Sequence, residues 1–233
     1  MAPVKVDIWS DFVCPFCYLG WRKLQAAIEQ SGLEVDLEWH SYELNQTAPP
    51  CYEGTLPEFL AEIMGGEPVE RVEASLDILS EKMKEWGIEY NWKDAKNGNT
   101  FNAHRMSKLA FEKGLGKEYR ERMYKAVHID GLPIGEKEVL RKLSIEVGLS
   151  EKEVDEVLDG IVYTQEVRAD EYDGIERQIQ AVPHYVFSNN IVISGAASKE
   201  RFLAALLGRD CNGEGTEWQP TPNCSANLHN TGG

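Results

Sequence analysis

The chain has 233 residues, 42% hydrophobic and 27% charged; at roughly 150 residues per domain this allows one large domain or two small ones, with a core that needs no disulfide staples. Asp plus Glu number 39 against 24 Lys plus Arg, a formal net charge of −15. That balance argues against nucleic acid and anionic membrane as main partners, because phosphate recognition needs a cationic face.

In chain order, Val4 to Ser10 is predicted to be a buried strand, with Val4, Val6 and Ile8 alternating and Trp9 adding bulk. Asp11-Phe12-Val13-Cys14 turns into a helix. Pro15 suits its first position, where a missing N–H costs nothing. Phe16, Gly20, Leu24, Ala27 and Ile28 follow at helical spacing, and Ser31-Gly32 is the stop. Val35, Leu37 and Trp39 alternate as a second strand. Asn45 to Thr55, with Pro49, Pro50 and Gly54, is a connector.

Helices follow. Predicted spans are Pro57 to Met64, Pro68 to Trp86, Thr100 to Lys113, Lys117 to Ile129 and Glu136 to Val147. Ser150 and Glu153 form a capping-box signature for a helix through Leu158, and a last one runs from about Val162 to about Gln178. Strands then return. Tyr185 to Phe187 and Ile191 to Ile193 flank the turn Ser188-Asn189-Asn190, and Ser198 to Leu207 is a terminal helix. No internal repeat is visible. The reading is an α/β chain: a split domain from 1–45 and 175–208, a large all-helical insertion at 56–174, and a flexible tail at 209–233.

The sharpest chemical signal is Cys14-Pro15-Phe16-Cys17. By itself C-x-x-C is ambiguous between half a zinc site and a dithiol redox centre. Zinc needs a second, closely spaced ligand pair. Cys211 and Cys224 lie thirteen positions apart, Cys51 stands alone, and the five His show no paired spacing beside a second Cys pair. No metal or cofactor is therefore expected. Redox chemistry needs one thiolate at a helix N-terminus, favoured by the helix dipole, and a second thiol one turn on. The strand–CPFC–helix order supplies both and matches the thioredoxin-like pattern. Val182-Pro183, just before the returning strands, then reads as the cis proline that faces such a dithiol in that fold, beside backbone able to pair with a substrate peptide. An ordinary trans proline at a strand start is the bland alternative.

Several segments, in order, resemble the FrnE-like branch of the DsbA family in the thioredoxin superfamily. They are Trp9-Ser10-Asp11-Phe12-Val13-Cys14-Pro15-Phe16-Cys17-Tyr18-Leu19-Gly20, Ser41-Tyr42-Glu43-Leu44-Asn45, Asn99-Thr100-Phe101-Asn102-Ala103-His104-Arg105, Val182-Pro183-His184-Tyr185-Val186 and Ser194-Gly195-Ala196. The likeness runs to about Arg209 and implies a thioredoxin-like fold with a helical insertion. It also implies thiol–disulfide oxidoreductase or isomerase activity on protein or thiol disulfides. Glutathione is a candidate partner, and the cytoplasm is the expected compartment. With the helix placement, it implies that Cys14 attacks, Cys17 resolves and Pro183 shapes the substrate groove. Pro15, Phe16, Val182 and His184 are candidate substrate contacts. Two departures are Pro-Phe between the cysteines, where DsbA has Pro-His, and His184 where an apolar residue is usual. They bear on redox poise and substrate preference, not on the class of chemistry.

Weaker candidates carry equal or stronger bland readings. Asn99, His104 and Arg105 could line a cleft, or could cap and brace helices. Cys51 is read as a lone linker thiol. Cys211 and Cys224 are read as tail thiols, with a shuttling pair as the alternative. The acidic run Glu151 to Glu156 is read as a solvated helix face. No apolar run approaches the roughly 20 residues that span a bilayer, and the N-terminus has no pattern of a secretory signal. Two competing readings remain: a glutathione-dependent isomerase or transferase like the hydroxychromene-carboxylate isomerases, which place Ser where Cys14 stands, and a non-catalytic binding module or zinc protein.

Overall fold

The computed structural model describes residues 3–209. Chain contacts divide it into one unit formed by the residues up to Tyr42 together with those from Glu171 on, and a second unit, Glu43–Asp170.

The first unit holds strands β1 (Val4–Ser10), β2 (Val35–Ser41), β3 (His184–Phe187) and β4 (Val192–Ser194), with helices α1 (Pro15–Ser31) and α9 (Lys199–Leu206). The sheet order is β2-β1-β3-β4. β2 runs parallel to β1, while β3 and β4 are antiparallel to their neighbours. The parallel pair follows from the crossover helix between β1 and β2. Alternation gives the sheet two faces. Val6, Ile8, Tyr185, Phe187 and Ile193 face one way and are fully buried with α1 and α9. Lys5, Asp7 and Trp9 face the other way.

Trp9 is nonetheless buried. Its ring stacks on His40 with centroids 4.3 Å apart, meets His184 edge-on at 6.1 Å, and carries the Arg177 guanidinium at 5.2 Å. At Gly174 an added Cβ would lie 3.4 Å from the indole, so the backbone there lies close against Trp9.

The second unit is helical: α2 (Leu56–Ile63), α3 (Val69–Lys84), α4 (Phe101–Glu112), α5 (Gly116–His128), α6 (Lys137–Val147), α7 (Glu151–Asp159) and the first half of α8 (Thr164–Glu176). α8 thus divides at Glu171, and its second half belongs to the first unit. Thr55 starts α2 with a full capping box: its hydroxyl accepts from the Glu58 amide, and the Glu58 carboxylate accepts from the Thr55 amide at 2.7 Å. The expected box at Ser150 is half made. Its hydroxyl accepts from the Glu153 amide and donates to the Glu153 carboxylate. β4 begins one residue later than the sequence pattern suggests, because the Asn189 side chain takes the Ile191 amide and Asn190 turns at φ 66°. Among the described residues no helix is long and apolar enough to cross a membrane.

Candidate active site

Cys14 is the N-cap residue of α1, with extended backbone and Pro15 directly after it. The Cys14 amide donates to the Asp11 carbonyl at 3.4 Å, and its own carbonyl accepts from the Cys17 amide at 3.0 Å. A tight turn therefore feeds the helix and sets the two thiols one helical turn apart. Both are free, and both are buried, Cys14 at 5% exposure and Cys17 at 1%. Pro15 and Phe16 are half-buried on the first turn.

The sulfurs differ in their surroundings. Cys14 Sγ donates to the Val182 carbonyl at 3.6 Å. Cys17 lies against Cys14, the Asp11 amide and the Ser10 hydroxyl. Burial pushes the Cys17 thiol well up, and the Cys14 sulfur beside it adds to that; the Asp11 amide and the Ser10 hydroxyl work in the opposite direction.

The Val182–Pro183 peptide bond is cis. Val182 and Pro183 are buried, and the Pro183 carbonyl accepts from the Gly195 amide at 2.7 Å, which ties the segment to the end of β4. Gly20 of α1 is what admits it: a Cβ there would stand 2.4 Å from the Tyr185 hydroxyl and 3.2 Å from Pro183 Cγ. His184 is half-buried, and its pKa lies below the ordinary 6.5 because of burial first and the Arg177 charge second. Nearby, the Tyr42 hydroxyl donates to the Ile179 carbonyl at 3.3 Å, and burial raises its pKa, with Asp11 and Glu171 adding to the effect.

Cys14, Cys17, Val182 and Pro183 thus come together, with His184 next in the chain and directed to Trp9. Asn99, His104, Arg105 and Cys51 belong to the second unit. Arg105 is buried in the helical unit, donating to the Gly160 carbonyl at 2.7 Å, the Val162 carbonyl at 2.8 Å and Asn102 at 2.9 Å. Asn99 donates to Glu43 at 3.0 Å and caps the Phe101 amide at 2.9 Å. These residues brace the helices, and His104 is buried on the same helix α4. Cys51 donates to the neighbouring Tyr52 carbonyl at 3.6 Å and is raised by burial and then by Glu136. Cys211 and Cys224 lie outside the described residues.

Sequence reasoning gave no roles to Ser10, Tyr185 or Arg177. A signal existed for Ser10: it occupies the inward position after Val6 and Ile8, where an apolar residue fits the pattern. Among the described residues, the one grouping of three side chains with metal-ligand spacing is Asp7, Glu38 and His40, on β1 and β2. Lys5 already pairs with both of its carboxylates.

Comparison with known proteins agrees with this fold. YwbO of Bacillus subtilis, itself uncharacterized, is 29% identical over 222 residues, covering 87% of this chain and 96% of its own. The crystal structure of a protein described as a probable DsbA oxidoreductase from Streptomyces coelicolor superposes with a TM-score of 0.81 at 28% identity, covering 91% of this chain and 93% of that one. A 2-hydroxychromene-2-carboxylate isomerase shares the fold at a TM-score of 0.58 and 16% identity, over 88% and 94% of the two chains. The model of the DSBA-like thioredoxin domain matches residues 5–207. The chain belongs to the DSBA-like thioredoxin domain family.

Proposed function

We propose that this protein is a cytoplasmic thiol–disulfide oxidoreductase or isomerase, of the FrnE-like branch, that exchanges disulfides with protein or small thiol substrates through Cys14 and Cys17. The observation that carries the reading is the placement of Cys14: a thiol at the N-terminus of α1, 3.6 Å from the backbone carbonyl of Val182, with Cys17 one turn behind it. The helix N-terminus presents backbone N–H groups without intrahelical partners beside Cys14. The Val182–Pro183 backbone beside it is where an extended substrate segment would pair, as in strand addition. Pro15, Phe16 and His184 would border that segment.

In the reducing direction, the Cys14 thiolate attacks one sulfur of a substrate disulfide. The Cys14–substrate bond forms, and the second substrate sulfur departs as a thiolate. Cys17 then attacks Cys14, giving the Cys14–Cys17 disulfide and releasing the first substrate sulfur as a thiol. The substrate gains two electrons and the dithiol loses two.

Reduction of insulin disulfides with a dithiol donor tests this. Cys14→Ser abolishes the reaction, whereas Cys17→Ser traps a mixed disulfide on Cys14. Full activity in Cys14→Ser would sink the proposal. A glutathione-dependent isomerase activity that survives Cys17→Ser would replace it with the isomerase reading.

A further inference from the structure

The inward positions of β1 run Val6, Ile8, Ser10; the first two are fully buried apolar side chains, and the third is a hydroxyl at 1% exposure. The chain then reverses. The Asp11–Cys14 turn and the first turn of α1 bring Cys17 back over the end of the strand that precedes it. There the Cys17 sulfur meets two donors, the Asp11 amide and the Ser10 hydroxyl. A hydroxyl at this position costs the core a methyl group's worth of apolar contact and requires a partner. One partner is the sulfur that the proposed reaction must turn into a nucleophile.

We propose that Ser10 serves the resolving step, its hydroxyl donating to the Cys17 sulfur as that sulfur takes on negative charge. This rests on the dithiol reading above. In the mixed disulfide, Cys17 attacks the Cys14 sulfur and a new S–S bond forms. The Cys14–substrate bond breaks, and its electron pair leaves on the substrate sulfur. That sulfur takes up the proton Cys17 gives up. Ser10 keeps its own proton and supplies no electrons.

Charge on a buried sulfur is costly, and Ser10 and the Asp11 amide are the groups here that offset the cost. Only proline would remove the amide, and it would also disturb the turn, so Ser10 is the testable half. It is a positioning residue that acts through Cys17.

The test is a single-turnover reaction of the reduced protein, carrying Cys51→Ser, Cys211→Ser and Cys224→Ser so that only the pair reacts, with dithiobisnitrobenzoate, followed by stopped flow across pH. The first equivalent of thionitrobenzoate reports attack by Cys14, and the second reports resolution by Cys17. In Ser10→Ala the second phase slows about tenfold at neutral pH and its midpoint moves up about one pH unit, the scale of one hydrogen bond to a charged group. Ser10→Thr keeps the hydroxyl and keeps the wild-type midpoint. An unmoved midpoint in Ser10→Ala, with the fold verified by its thermal transition, overturns the inference and leaves the dithiol reading standing. A midpoint displaced equally in Ser10→Thr also overturns it, since the effect is then one of packing. A wild-type protein that releases no second equivalent overturns the dithiol reading itself.

Discussion

The close approach at Gly20 makes a quantitative prediction, because two known effects oppose each other there. In an ordinary helix interior, Gly→Ala stabilises by about 1 kcal/mol. At Gly20 the new methyl would stand 2.4 Å from the Tyr185 hydroxyl and 3.2 Å from Pro183 Cγ. Tyr185 cannot swing aside: it is 1% exposed and packs edge-on against Phe202 at 4.8 Å. Overpacking of a filled core costs about 1–3 kcal/mol, and a contact this short belongs at the upper end. Gly20→Ala is therefore expected to lose about 2 kcal/mol net, which lowers Tm by about 4–8 °C for a chain of this size.

Thermal unfolding by circular dichroism reads the shift, and Tyr185→Phe supplies the control. Without the hydroxyl the shortest contact disappears, so Gly20→Ala costs about 1 kcal/mol less in the Tyr185→Phe background. Disulfide exchange slows in Gly20→Ala as well, since the methyl also displaces Pro183 beside Cys14. A Tm raised by Gly20→Ala, as helix propensity alone demands, would refute the packing argument. Equal costs in both backgrounds would refute the role given to Tyr185.

Two further outcomes follow from buried charge. The His184 pKa is below 6.5 in the folded protein because of burial and Arg177; between that lowered value and 6.5 the unfolded chain binds the proton and the folded one does not, so stability falls as pH drops through this window. The urea midpoint therefore declines more on mild acidification in the wild type than in His184→Gln, and equal declines would remove His184 from the account. In the helical unit, the fully buried Glu43 carboxylate accepts from Arg168 at 2.7 Å and from Asn99, while Arg168 itself is 44% exposed and lies over Phe101. Removing the cation strands a buried anion, whereas removing the anion frees a cation to water. Arg168→Met thus costs about 3 kcal/mol against about 1–2 kcal/mol for Glu43→Gln, and the reverse order in chemical denaturation would contradict the asymmetry.

What could be read in advance divides along the two faces of the sheet. The inner face is written in alternating apolar residues, Val6 and Ile8 with Tyr185 and Phe187, and the helices in their glycine stops, such as Gly32 in the left-handed conformation. These are local periodicities, so strand and helix positions emerged within a residue or two. The outer face has no such signature. Trp9 is buried there by His40 from the next strand and by Arg177 from far along the chain, and no spacing rule links three such positions. The same holds for Glu43 and Asn99, whose motifs stand 56 residues apart and meet through one hydrogen bond. Cys14 and Cys17 stand out in the sequence because the proposed redox dithiol needs its spacing and its helix end within one segment. Their modulators were not, because a donor to a buried sulfur need obey only geometry. Ser10 is the instructive middle case. It breaks the inward pattern of β1 by a single residue, and a polar side chain placed where packing alone would choose valine must be held there by what it touches. Here it touches Cys17.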